Sequence, residues 1–478
     1  MRFPFQFIFR FGVVAAFAFL PIATLGADEG RTLKTLTLAD APAPQFKFET
    51  LRLETPLGDK PLFSRNPWDL HAFKGRLFIG HGDAESNSGS RNHFEGTPIW
   101  SYTPAHGFEQ VSVQAPNGDL HSTLGGVDEE VITRFVEING KLMIPGADPV
   151  TAEDWSLGNL YIYDESENRF DKDRSIPDGI HCLDLIGVNG DLYVALGNVT
   201  PAGKGQNNNR GTGAVVVVRP AGSQQWSTAF ESAWTEPILQ SVSRTIRVNE
   251  LFRFDGQIYA CEAAYGIAQN AAAEGTLADV GGKRQSVSLS NEGLGTVGGS
   301  ARIAKLDPKQ RRFIPTDLPY DQVYPLGNQT TVDVTTADGQ VMTLAMSTGN
   351  WMANPVEFNH QLFYLGLGGG RRDLYHASAN FETVTPVPVA DGIMPQKIMV
   401  HQDHLYVLAF RKLENDRYQN AVFETVNAED WSLTWVVETE TFARSFATMG
   451  PDWYLGLGGN AESTSPATGT ILRVSPVM

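Results

Sequence analysis

The sequence predicts an all-β fold, a seven-bladed β-propeller whose ring is closed by an N-terminal strand. One pattern returns seven times, an apolar strand, a tight turn and a second strand ending in small residues, at 72–83, 137–148, 187–198, 253–264, 357–368, 400–411 and 448–459. Five of the turns carry Gly, and the Asn-Gly turns at 139–140 and 189–190 and the Asp-Gly turn at 255–256 suit hairpins, whose central residues take positive φ. Composition agrees, since 47 glycines and 27 prolines in 478 residues suit short strands and turns better than long helices.

Each element can be justified in chain order. Arg2 and Arg10 precede the apolar run 11–20, and 23–27 supplies small residues with Leu25 at the third position back, the pattern of a secretory signal peptide cleaved after Ala27. The run is shorter than the ~20 residues a bilayer span needs, so no membrane span is expected. Residues 28–478 are then one propeller domain, secreted or periplasmic and monomeric. The segment FKFETLRLE, around 47–54, is a spare strand. Every hairpin is followed by a third strand, such as TPIWSYTP or AVVVVRPA, and six are followed by a fourth, such as RFDKDRSIP or WSLTWVVETE. The seventh has no room for one before Met478. The spare strand completes it and removes the free sheet edges that invite aggregation. Residues 263–300 read as a loop inserted in the fourth repeat, long enough for a lid or a cleft wall.

Charge narrows the partners. Lys and Arg total 37 against 54 Asp and Glu, a net charge of -17, which repels a nucleic-acid backbone. Cys182 and Cys261 are too few for a disulfide-stapled fold or a Cys-rich zinc site, and leave open one disulfide or two buried thiols. HExxH, GxSxG, P-loop and CxxC motifs do not occur in the sequence. The glycine runs at 366–370 and 456–459 end hairpin strands, so neither is a dinucleotide fingerprint.

In a propeller, the starts of the innermost strands and the loops between second and third strands converge on one funnel. Polar residues at those places include Asp69, Glu129, Glu130, Asp148, His181, Arg247, Glu262 and Lys397. Paired carboxylates among Asp69, Asp83, Glu129 and Glu130 would suit glycoside hydrolysis, for which their separation is decisive. Alternating oxygen ligands at Asp83, Glu85 and Asn87 outline a candidate Ca²⁺ loop that lacks the glycine and distal glutamate of an EF-hand. His71, His81 and His181 form a weaker candidate for a transition-metal site.

The string AEDWSL occurs at 152–157 and 428–433, and the second copy continues as Thr434-Trp435. It resembles a degenerate Asp box, the structural turn of sialidase-like propellers, with Ala for the first Ser and Ser for the Gly. In architecture and residue types the chain resembles secreted bacterial seven-bladed propellers, polysaccharide lyases among them. That resemblance implies β-elimination on a uronic-acid glycan, with His81 or His181 as base and Tyr265 as acid. Arg244, Arg371, Arg411 and Arg444 would bind the substrate carboxylates, and Trp68 and Trp351 would stack on sugar rings. Such chemistry requires no cofactor. A non-catalytic propeller binding a polysaccharide, oligosaccharide or protein is the alternative from a different class.

Overall fold

The computed structural model describes residues 35–38, 46–51, 62–83, 96–116, 126–149, 157–177, 179, 181–197, 214–231, 242–268, 303–318, 329–335, 341–347, 351–368, 371–459 and 465–477. The expected signal peptide lies outside the described residues. The described elements are strands apart from short 3-10 turns, and among them no helix is long and apolar enough to cross a membrane.

The unit of the fold is a four-stranded antiparallel meander. The first runs Asp69–Phe73, Arg76–Gly80, Ile99–Thr103, Gly107–Gln114, and the next Val136–Ile138, Lys141–Pro145, Leu157–Asp164, Arg169–Pro177. Their outer strands pair in parallel, joining them as one eight-stranded sheet. A second eight-stranded sheet joins the meanders spanning 181–231 and 242–315, and separate four-stranded sheets span 351–386 and 394–439. The last described sheet sets Ala443–Met449, Asp452–Leu457 and Ile471–Pro476 beside Phe46–Leu51, which pairs with Ile471–Pro476 from Phe46↔Pro476 to Leu51↔Ile471.

Local chemistry explains the hairpins. Asn139 and Gly140 have φ of 52° and 72°, and Asp255 and Gly256 have 49° and 66°, the paired positive values that match the twist of the flanking strands. Turns without Gly reach the same conformation, with Asn359 and His360 at 49° and 60° and Gln402 and Asp403 at 48° and 60°. The degenerate box is also a turn. Asn427 Oδ1 accepts the Glu429 and Asp430 N–H groups at 3.0 and 2.8 Å, Ala428 takes a φ of 67°, and Trp435 is buried in the strand that follows.

Two features depart from the sequence reading. The strand expected to end near Ala263 continues to Ala268, because Val242–Phe254 and Gln257–Ala268 form a long hairpin paired from Phe254↔Gln257 to Val242↔Ala268 with one bulge between Val248 and Glu250. A further hairpin, Gln329–Thr335 with Val341–Ser347, was not anticipated.

Apolar clusters lie between successive meanders. Phe78, Val111, Leu142 and Tyr161 pack between the first two, and Val194, Val217, Leu160 and Ile176 between the next two. Leu70, Leu77 and Ile79 pack on Ala447, Tyr454 and Ile471, so the first meander meets the last. Hydrogen bonds reinforce that contact, from Ser445 Oγ to the Pro67 carbonyl at 2.6 Å and from the Gly459 N–H to Asn66 Oδ1 at 2.7 Å. Each fully buried Leu, Ile or Phe contributes about 1.5–3 kcal/mol relative to exposure, so these layers dominate cohesion.

The innermost strands surround a cavity of about 940 Å³, lined by segments 68–72, 133–136, 184–185, 250–251, 354–356, 396–401 and 446–448 with Leu367, Arg372 and Arg444. Strand register breaks where several of these segments meet it, between Cys182 and Asp184, Val248 and Glu250, Pro395 and Lys397, and Ala443 and Ser445. A bulge re-aims a side chain, which is how strands with apolar cores carry charge at the cavity wall.

Candidate functional site

At one rim of the fold, polar groups from three meanders meet around His181, the first residue of its strand. His181 Nδ1 lies 2.8 Å from the Ala147 carbonyl and 3.8 Å from Asp148 Oδ1. A carbonyl accepts and cannot donate, so Nδ1 carries the proton and Nε2 keeps its lone pair. Burial, then the Arg247 charge, lowers His181 to about 3, opposed by the Ala147 hydrogen bond. The ring is therefore neutral throughout the physiological range.

Arg247 reaches this place across a glycine. Gly197 pairs with His181 on one side and with Arg247 on the other. A Cβ on Gly197 would stand 2.7 Å from both Cγ and Cδ of Arg247, so the arginine stem runs where a side chain would otherwise project.

Asp148 is the third member. Burial, then the Glu130 charge, raises it to about 7, and Arg247 opposes the shift. It is thus poised to exchange a proton near neutral pH.

Beneath them lies Glu129, fully buried. Its Oε2 accepts the Asp148 backbone N–H at 2.8 Å, and its Oε1 accepts Asn159 Nδ2 at 2.7 Å and the Tyr161 hydroxyl at 3.2 Å. The Asp128 N–H in turn donates to that hydroxyl at 2.8 Å. Burial raises Glu129 to about 8, with the Asp128 and Asp148 charges adding to the rise and the Asn159 bond opposing it. Glu129 touches the backbone of the segment that supplies both the Ala147 carbonyl and Asp148, so it positions the site from behind.

The other predicted residues fall as follows. His81 is buried at 2 % exposure, and its carbonyl accepts the Ile132 N–H at 2.9 Å. Trp68 Nε1 donates to the Gly82 carbonyl at 2.8 Å, with the Arg444 guanidinium 4.1 Å from its ring centre. The Asp83 N–H donates to the Glu130 carbonyl, and the Glu130 N–H to the Asp148 carbonyl, so a backbone ladder joins the Trp68–Arg444 pair to the His181 cluster. Asp83 Oδ2 accepts Ser64 Oγ at 3.3 Å, while Glu85 and Asn87 lie outside the described residues. Among the described residues no three His, Cys, Asp or Glu converge as a metal site.

Arg411 is held on its own sheet by Gln419 at 2.6 Å. Arg244 and Tyr265 lie on the long hairpin opposite Gly266 and Thr245, and Trp351 and Arg371 lie opposite Leu367 and Gly368. The side chains of these four lie outside the described residues. Cys182 and Cys261 are buried free thiols on different meanders.

Two ion-pair groups at the cavity were not anticipated as such. Asp69 binds Lys397 and accepts the Phe135 N–H at 2.8 Å. Arg134 binds Glu250 through both terminal nitrogens at 2.9 Å and Asp184 at 2.9 Å, while Asp184 Oδ2 accepts the Leu251 N–H at 2.7 Å. Lone acids within apolar strands were the available signal. The bulges that turn them inward have no simple sequence signature.

No family model matches the chain, and no curated protein does. Among solved structures it is similar to the virginiamycin B lyase of Staphylococcus aureus at 9 % identity and TM-score 0.45, covering 90 % of this chain and 99 % of that one. It is also similar to YCF48 of Cyanidioschyzon merolae at 8 % identity and TM-score 0.42, covering 90 % and 98 %. The β-propeller domain of the trilobed protease of Pyrococcus furiosus matches at 8 % identity and TM-score 0.35, covering 75 % and 77 %.

Proposed function

We propose that the chain is an exported, monomeric, seven-bladed propeller that cleaves a uronic-acid polysaccharide by β-elimination at the His181 cluster. The ring reading is supported by the first-to-last apolar packing and by the outer strand that Phe46–Leu51 adds to the last meander. The chemistry rests on the 2.8 Å contact of His181 Nδ1 with the Ala147 carbonyl, which leaves Nε2 as a neutral base beside the Arg247 stem.

The roles follow from charge. Arg247 neutralises the substrate carboxylate and so acidifies the adjacent carbon. With its charge taken up by the substrate carboxylate, Arg247 no longer lowers the imidazole, whose basicity rises on binding; the carbon loses its proton to His181 Nε2, and the electron pair forms a double bond to the neighbouring carbon. The bond from that neighbour to the glycosidic oxygen breaks, and the oxygen takes its proton from Asp148. Glu129, being fully buried, is unavailable as one of a pair of hydrolytic carboxylates.

The test is incubation of the full chain with uronic-acid and neutral polysaccharides, following reducing ends together with the ultraviolet absorbance of an unsaturated uronate. Absorbance should rise with reducing ends on a uronate polymer, fall about 10²–10⁴-fold in His181→Gln, and decline as pH rises through about 7, where Asp148 loses its proton. Reducing ends without absorbance would overturn elimination. No product from any polymer would favour a glycan-binding propeller.

A further inference from the structure

None of His181, Asp148, Arg247 and Glu129 lines the central cavity, whose wall has an unusual arrangement of charge. Lining it are three acids, Asp69, Asp184 and Glu250, and four permanent cations, Arg134, Arg372, Lys397 and Arg444. Arg444 is committed to the Gly459 carbonyl at 2.8 Å and to the Trp68 ring. In the two ion-pair groups the partners are not equally withdrawn. The Asp69, Asp184 and Glu250 side chains are 7 %, 6 % and 6 % exposed, against 20 % for Lys397 and 26 % for Arg134.

Backbone donors explain the asymmetry. The Phe135 N–H holds Asp69, and the Leu185 and Leu251 N–H groups hold Asp184, so these acids are drawn into the wall. The cations stand in front of them. An ammonium has three donors and a guanidinium five, more than the acids behind them consume. Lys397 binds Asp69, Asp69 holds the Phe135 N–H, and Phe135 follows Arg134 in the chain, so both cations flank one short stretch of wall. Val136 and Met399, each two residues along from one of these cations, are part-exposed, line the same cavity and give it an apolar face. The cavity volume of about 940 Å³ falls within the range of small-molecule sites.

We propose that this cavity binds a small organic anion, a carboxylate or phosphate carried on a body with an apolar face, between Lys397 and Arg134. The anionic group takes the remaining donors of both cations without displacing Asp69 or Glu250, and its apolar body lies against Val136 and Met399. The site is independent of the elimination proposed at His181.

Isothermal titration of the full chain with benzoate, phenyl phosphate and benzylamine tests this, since the three share a ring and differ in the charged group. Benzoate or phenyl phosphate should bind and benzylamine should not, and the stronger of the two anions identifies the favoured headgroup. Lys397→Met should weaken anion binding about tenfold or more. The double variant Asp69→Asn/Lys397→Met, which removes both partners and leaves no buried charge unpaired, should weaken binding as much and decides the matter if Lys397→Met does not fold. Binding should persist in His181→Gln, so loss of the elimination reading would leave this one standing. Equal binding of benzylamine, no binding of either anion at millimolar concentration, or anion binding unchanged in the folded Lys397→Met or Asp69→Asn/Lys397→Met variant would overturn the proposal.

Discussion

Glu129 shows how one buried carboxyl shapes both the site and its pH response. Folding raises it from 4.5 to about 8, mainly through burial, so between those values the native state binds a proton that the unfolded state lacks. Its contribution to stability therefore falls as pH rises from 4.5 through about 8, by up to ~1.4 kcal/mol per pH unit. Asp148, raised from 3.8 to about 7, acts in the same sense over its own window. His181, lowered from 6.5 to about 3, acts in the opposite sense, and its contribution is lost as pH falls from 6.5 toward 3. Glu129→Gln should therefore flatten the decline of the unfolding free energy between pH 5 and about 8 in urea titrations. An unchanged pH slope would show that Glu129 is already ionised in the native protein. His181, Glu129, Asp148 and Arg247 were all legible as funnel residues, because repeat position places them at the rim. Their division of labour was not, since the carbonyl that fixes the imidazole comes from a backbone 34 residues away in sequence.

Strand geometry decides how these residues meet. Gly197 lies between His181 and Arg247 in cross-strand register, and its missing side chain is the space the arginine stem uses. Gly197→Ala should push Arg247 outward. Because the Arg247 charge lowers the His181 pKa, the imidazole should titrate at higher pH in the variant, as followed by NMR of the ring. Elimination should weaken in parallel, and an unmoved titration would place Arg247 too far away to matter. Hairpin elements were the most legible part of the sequence, since Asn-Gly and Asp-Gly turns advertise positive φ. The turns at Asn359-His360 and Gln402-Asp403 carry no Gly and were legible through the repeat that contains them. The long hairpin 242–268 read instead as a loop beyond Ala263, because Tyr265-Gly266 interrupts its apolar pattern. Asp338-Gly339 marked the missed hairpin at 329–347, but its first arm, QTTVDVT, is polar and Thr-rich and lacks the apolar run that opens each copy of the repeat.

For the whole molecule, cohesion depends on the contact between the two ends of the chain. Strand Phe46–Leu51 covers the edge of Ile471–Pro476, with Phe46 and Phe48 packed against the cluster that holds Trp435 and Trp453. Deleting residues 46–51 should uncover that edge, lower the melting temperature, and convert a single species into concentration-dependent aggregates. Size-exclusion chromatography and a thermal scan of the two proteins make the comparison, and an unaltered profile would deny the strand this role. Removing an outer strand leaves the Leu70–Tyr454 layer in place, so the fold should weaken rather than vanish.

The two thiols report on this architecture from within. Cys182 belongs to the apolar layer joining the meanders at 136–177 and 181–231, and Cys261 to the layer joining those at 242–315 and 351–386. Burial lifts the Cys182 thiol well above its ordinary value, so it is inert toward alkylating reagents while its layer is shut. Each cysteine is then a clock for the opening of one seam. The order in which an alkylating reagent labels them, read by mass spectrometry, gives the order in which neighbouring sheets part.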